Sequence, residues 1–107
     1  MNFGLTRSVA VTFLVSALFL LFVPVSRADD TAALYKSKCA MCHKADGSGN
    51  AGMKVPDFRS AAIQKETDAQ LVEATANGKG KMPAQKGKLT EAQIKDLVKY
   101  IRELTKK

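Results

Sequence analysis

Two cysteines three positions apart, followed at once by a histidine, are the feature that most constrains this chain. They lie in the run Cys39–His43, and the 107 residues include two cysteines and one histidine in all. This spacing is typical of a covalent haem attachment site, where the two thiols add to the vinyl groups of one porphyrin. The histidine is then placed to bind the iron from one face. We therefore predict one covalent haem c per chain, attached through Cys39 and Cys42, with His43 as an iron ligand.

Three other uses of these residues compete with haem attachment. A thioredoxin-like redox couple needs a strand-helix context, which the sequence does not show. A structural zinc ion needs four nitrogen or sulfur ligands, whereas the cysteines and the histidine supply three. A structural disulfide fits the spacing but leaves the rest of the chain unexplained.

Residues 1–28 have the pattern of a secretory signal peptide. The run Val9–Val25 is apolar except for Thr12 and Ser16, and Ser26-Arg27-Ala28 places small residues at the outer positions of a cleavage site. The alternative is a retained anchor, because about 20 apolar residues span a bilayer. We predict cleavage after Ala28, a domain over 29–107 and a periplasmic location, where thioether attachment of haem takes place in bacteria.

Residues 29–107 predict an all-α domain of four or five short helices around the haem. Asp29 and Asp30 favour the start of a helix over about 31–39, and a short helix is expected over 60–65. Thr67 and Thr90 each stand three residues before a glutamine, which is the capping-box pattern. The last helix carries apolar residues at helical spacing: Ile94, Leu97, Val98, Ile101 and Leu104. No stretch alternates apolar and polar residues as a strand would.

The loop over 78–88 contains the second candidate iron ligand, Met82. It lies among lysines and glycines and before Pro83, in a stretch too rich in glycine and proline for a helix. A thioether is a soft ligand that favours reduced iron, so a methionine opposite an imidazole raises the reduction potential of a haem. Most methionines fill a core instead, but this one has no apolar stripe around it. We predict His43 and Met82 as the two iron ligands, with Met53 as the weaker rival.

The arrangement resembles the class I c-type cytochromes over essentially all of residues 29–107, and most of all the small, cytochrome c6-like bacterial and photosynthetic carriers. The resemblance is carried by the Cys39–His43 motif, the glycine-rich loop before Pro56, the Lys-Met-Pro run at Met82 and the last amphipathic helix. It implies the cytochrome c fold, in which the first and last helices cross beside the haem with Tyr35 and Tyr100 at the crossing. It also implies that the Pro56 carbonyl accepts a hydrogen bond from His43 Nδ1.

The function predicted from these residues is one-electron transfer by a periplasmic haem protein without enzymatic activity. The sequence offers no acid, base or nucleophile set that would make catalysis a better interpretation. Two alternatives stay open at this point. One is a haem protein with an open iron position, acting as an enzyme or a gas binder. The other is a haem-free thiol redox module.

The positive charge of the chain predicts the kind of redox partner that it meets. The chain has a formal net charge of +7, and four lysines bracket Met82: Lys79, Lys81, Lys86 and Lys88. Such a patch would steer an acidic redox partner to the haem edge, although scattered lysines also merely solvate a small protein. We expect transient partners, a monomer, and membrane contact only if the leader is retained. Nucleic acid binding is not predicted, since no motif for it is present.

Overall fold

The chain folds into helices that loops of well-defined geometry connect, and the computed structural model describes residues 26–106. The α-helices in this range are α1 (Arg27–Lys38), α2 (Ala40–His43), α3 (Ala61–Gln64), α4 (Asp68–Asn77) and α5 (Glu91–Leu104). A 3-10 turn spans Ala51–Met53. The same residues contain isolated β-bridges and no strand. The prediction of an all-α fold with four or five short helices is therefore confirmed.

The predicted signal segment falls almost wholly on residues 1–25, which lie outside the described range. Its cleavage after Ala28 stays a prediction. Between residues 26 and 106, no helix combines the length and the apolar character needed to cross a bilayer.

The start of α1 differs from the prediction. The helix begins at Arg27 instead of near Thr31, and its N-cap is Ser26, whose Oγ accepts a hydrogen bond from the Ala28 N–H. Asp29 and Asp30 lie inside the first turn, where their charges favour the positive end of the helix dipole without capping it. The cap was missed because Ser26 belongs to the segment assigned to the leader.

Helices α1 and α5 pack against each other and hold the core. Tyr35 of α1, Leu97 of α5 and Phe58 of the loop after α2 form its buried cluster. The rings of Tyr35 and Tyr100 lie 5.1 Å apart at the helix contact, as the resemblance implied. The predicted stripe on α5 faces inward: Ile94, Leu97 and Val98 are buried, and Ile101 and Leu104 are half-buried.

Both predicted capping boxes are formed. Thr67 and Thr90 each accept a hydrogen bond from the N–H of the glutamine three residues on, and each glutamine Oε1 accepts one from the threonine N–H. Arg102 near the end of α5 donates to Asp68 Oδ1 at 3.0 Å, which joins it to the start of α4. The loop over 78–88 is therefore held between two well-anchored helices.

Candidate functional site

The Cys-x-x-Cys-His run begins at Cys39, in the corner between α1 and α2, and continues through α2 to His43. The Cys39 N–H donates to the Tyr35 carbonyl at 2.8 Å, and the His43 N–H donates to the Cys39 carbonyl at 2.9 Å. Cys39 is half-buried and Cys42 is exposed, and both are free thiols. Burial raises the pKa of the Cys39 thiol above its ordinary value. Cys39 and Cys42 do not form a disulfide with each other in this structure.

A zinc site also finds no support. Within residues 26–106, no three His, Cys, Asp or Glu side chains gather closely enough to hold a metal ion. A structural zinc ion needs four such ligands.

The His43 side chain is half-buried and stacks on an aromatic ring. Its ring centroid lies 4.4 Å from that of Phe58, with 18° between the planes. Burial lowers the pKa of His43, so the ring is neutral at neutral pH, which is the form that binds a metal. Its Nδ1 is buried and has no hydrogen-bond partner among the described residues. Buried polar atoms are nearly always paired, so this imidazole is not explained as an ordinary core histidine.

The hydrogen bond expected from His43 Nδ1 to the Pro56 carbonyl is not formed among the residues that the structure describes. The Pro56 carbonyl instead lies directly against Gly49, whose φ of +70° brings the two backbone segments together. The Gly49 N–H in turn donates to the His43 carbonyl at 3.1 Å. Pro56 therefore belongs to the loop that braces His43 through the backbone, and a direct role for it toward the haem stays a prediction.

Met82 is half-buried and is the last residue of a tight turn that begins at Lys79. Its N–H donates to the Lys79 carbonyl at 3.0 Å, and its carbonyl accepts from the Lys79 N–H at 3.2 Å. Gly78, with φ of +78°, lies against the Met82 carbonyl, where a Cβ would approach to 2.6 Å. These contacts fix the backbone that carries the thioether. The rival Met53 is half exposed on the 3-10 turn.

The same loop is bonded to the end of α4. The Gln85 N–H donates to the Thr75 carbonyl at 3.1 Å, and the Lys86 N–H donates to the Ala76 carbonyl at 2.9 Å. The Gln85 side chain is buried, and its Nε2 donates to the Pro83 carbonyl at 3.3 Å. Gln85 therefore closes the loop by hydrogen bonds at a position where an apolar side chain could only pack.

Comparisons with known proteins identify the family. A family model described as cytochrome c oxidase, cbb3-type, subunit III, matches residues 26–101. Cytochrome c6 of Thermostichus vulcanus is 30% identical over 101 residues, which cover 89% of this chain and 88% of that protein. Cytochrome c6 of a Picosynechococcus species is 32% identical over 106 residues, which cover 88% of each. The chain belongs to the class I c-type cytochromes. A solved structure, the KustC0563 c-type cytochrome, has a TM-score of 0.65 at 31% identity, over 71% of this chain and 98% of that one.

Membership assigns this cytochrome a covalently bound haem c, and Cys39 and Cys42 are its two cysteines. The described residues fit the group on three observations. Both thiols are free, the His43 imidazole is neutral with an unpartnered buried nitrogen, and the Met82 backbone is held in a rigid turn. Family membership removes the alternative of a haem-free thiol module.

Sequence reasoning missed the contribution of Phe58 to the site of this cytochrome. The ring stacks on His43, and its own N–H donates to the Gly47 carbonyl at 2.9 Å. The only local signal was an aromatic residue at the end of a glycine-rich and proline-containing loop. Stacking of a loop residue on a helical one depends on tertiary folding, so no spacing rule could have paired them.

The four lysines around Met82 are all exposed in this cytochrome. None of them forms an ion pair with any residue from 26 to 106, unlike Lys95 and Lys106, which pair with Glu91 and Glu103. We call this set the Met-loop lysines: Lys79, Lys81, Lys86 and Lys88. Their charges are therefore not neutralised locally and stand free to act on an approaching molecule.

Proposed function

We propose that this cytochrome is a periplasmic one-electron carrier whose haem iron is held between His43 and Met82. The observation that carries the proposal is the half-buried, neutral imidazole of His43, which stacks on Phe58 and directly follows the two attachment cysteines. When bound, the haem supplies the iron that accepts and releases one electron. The proposal includes no catalytic step, because two protein ligands leave no iron position for a substrate.

The chain's own residues tune that exchange. Phe58 stacks on one side of the His43 ring, which favours a ligand of fixed orientation. The Met82 thioether favours the reduced iron, because soft sulfur ligands prefer the lower charge. The hydrogen bonds of Met82 and Gln85 hold the loop in one conformation, so the ligand changes little between the two redox states.

The periplasmic part of the proposal is supported by the sequence of residues 1–28 and by the place where bacteria attach haem c. Cleavage after Ala28 would remove Ser26 and Arg27 from the start of α1, including the ion pair of Arg27 with Asp96. We propose that the domain over 29–107 retains α1 through its packing on α5 and through the charges of Asp29 and Asp30.

Substitution of Met82 tests the ligand assignment. In protein matured with covalent haem, Met82→Ala and Met82→His are both expected to lower the reduction potential, by a fraction of the roughly 0.8 V that axial ligands span. The alanine variant is also expected to become high-spin and to bind carbon monoxide readily, whereas the parent stays low-spin. Potentiometry with reduced-minus-oxidised spectra measures both effects.

Met53→Ala is the matched control, since it removes the rival thioether and is expected to leave the potential and the spin state unchanged. An unchanged potential in both Met82 variants would remove Met82 from the iron. A parent protein that is already high-spin would favour an open iron position instead.

Substitution of one of the Met-loop lysines tests the proposed preference for an acidic partner. Lys81→Glu is expected to slow electron transfer to a small acidic redox protein roughly 3–10-fold at low salt, and the difference is expected to vanish as ionic strength rises. Lys99→Glu on α5 makes the same charge change outside the loop and is expected to have a smaller effect. Stopped-flow rates with an uncharged reductant serve as the second control. Equal slowing by both variants would show that only net charge matters.

A further inference from the structure

Lys44, the residue directly after His43, has a backbone conformation that side chains rarely adopt. Its φ is 63° and its ψ is 163°, a region used almost only by glycine. Lys54, the other non-glycine residue with positive φ among those described, has the milder left-handed values of 57° and 31°. A conformation of this kind persists only where neighbouring contacts impose it. The contacts that impose this conformation on Lys44 therefore act one residue after His43, the proposed iron ligand.

The Lys44 carbonyl accepts hydrogen bonds from Tyr35 and from Gly47. The Tyr35 hydroxyl donates to the Lys44 carbonyl at 2.7 Å, and the Gly47 N–H donates to the same oxygen at 3.2 Å. The Tyr35 side chain is 1% exposed, and burial raises the pKa of its phenol, so it remains a donor at every relevant pH. The Tyr35 backbone carbonyl accepts the Cys39 N–H at 2.8 Å. One residue thus holds both ends of the run from Cys39 to Lys44.

We propose that Tyr35 is a positioning residue whose hydroxyl holds the strained backbone after His43 and thereby sets the orientation of the His43 ring toward the haem. The inference rests on His43 as an iron ligand in the proposed function. The proposed role belongs to the hydroxyl of Tyr35 and not to its ring, because the ring has a separate role in filling the core beside Tyr100. A phenylalanine would keep that packing and lose the bond to Lys44.

The test compares Tyr35→Phe with Tyr100→Phe in the haem-loaded protein. Each variant deletes one hydroxyl from the same aromatic pair, but only the first removes the donor to the Lys44 carbonyl. The proton NMR shifts of the haem methyl groups in the ferric state report the plane of the bound histidine. Tyr35→Phe is expected to change the spread of those shifts and to lower the reduction potential, whereas Tyr100→Phe keeps the pattern of the parent.

Lys44→Gly provides the second arm, because glycine adopts this backbone conformation without strain. In the parent, Tyr35→Phe is expected to raise the unfolding equilibrium constant about tenfold. In the Lys44→Gly background the increase is expected to be larger, because glycine carries no backbone strain whose release would offset the lost hydrogen bond. Urea unfolding of all four proteins measures this coupling.

The outcomes separate the two proposals. A changed methyl pattern, together with the larger effect on unfolding in the Lys44→Gly background, supports the inference. An unchanged methyl pattern in Tyr35→Phe, with only stability affected, would overturn it and make Tyr35 a core residue. Parent protein without NMR signals of an iron-bound histidine would overturn His43 ligation itself, and this inference with it.

Discussion

Replacing Cys39 and Cys42 together by alanine is expected to leave the chain colourless and largely unfolded. Within residues 26–106 the buried hydrophobic core comprises Tyr35, Phe58, Ile94, Leu97 and Val98. Small domains are stable by only about 5–15 kcal/mol, and a large apolar group that binds only the folded chain shifts that balance by linkage. Without covalent attachment, the haem is lost during purification, and the stability that it contributes to the folded chain is lost with it. Absorption spectra and far-ultraviolet circular dichroism, measured on the same sample, report the two losses.

Met41→Ala is the matched control for the cysteine variant. Met41 stands between the two cysteines, and its side chain is 88% exposed. Its removal changes the sequence of the motif without touching either thiol or the core. We expect full haem attachment and an unchanged urea midpoint. A cysteine-free variant that kept its helical signal and its midpoint would show that the helices fold without the haem.

The helix boundaries illustrate which parts of the fold the sequence could predict. The starts of α4 and α5 were predictable because a capping box is a local signal, complete within four residues at Thr67 and Thr90. The start of α1 was not, because its cap, Ser26, lies within the segment interpreted as leader. The helix contact at Tyr35 and Tyr100 required the family resemblance, since no local rule pairs residues so far apart in sequence.

The functional site likewise has features that the sequence could predict and features that it could not. The attachment motif could be predicted because haem chemistry fixes the spacing of Cys39, Cys42 and His43. The stacking of Phe58 and the hydrogen bond from Tyr35 to Lys44 could not be predicted, because both depend on how the loop after α2 folds back. The hydrogen bond expected at Pro56 was inferred by analogy and is absent here, where the loop supports His43 through Gly49 instead.

Gly49→Ala is expected to destabilise the protein by about 3–5 kcal/mol, more than a typical surface substitution. Two costs add at this position. Its φ of +70° is unfavourable for any side chain, and a Cβ would collide with the backbone carbonyls of Val55 and Pro56, which cannot move as a flexible side chain would. The collision would push the segment that ends in Phe58 away from His43. We therefore expect a perturbed ferric spectrum as well as a lower urea midpoint.

Gly87→Ala separates these two costs, because Gly87 has a φ of +86° but no neighbouring atom within 4 Å of the position that a Cβ would take. It carries the conformational penalty alone, about 1–2 kcal/mol, and is expected to keep the parent spectrum. The difference between the two variants then measures the close approach of the Pro56 loop to the chain after His43. Equal losses of stability would mean that this approach is absent in solution. A large loss confined to Gly49→Ala, together with a disturbed iron spectrum, would show that the backbone contact at Gly49 supports the His43 side of the haem.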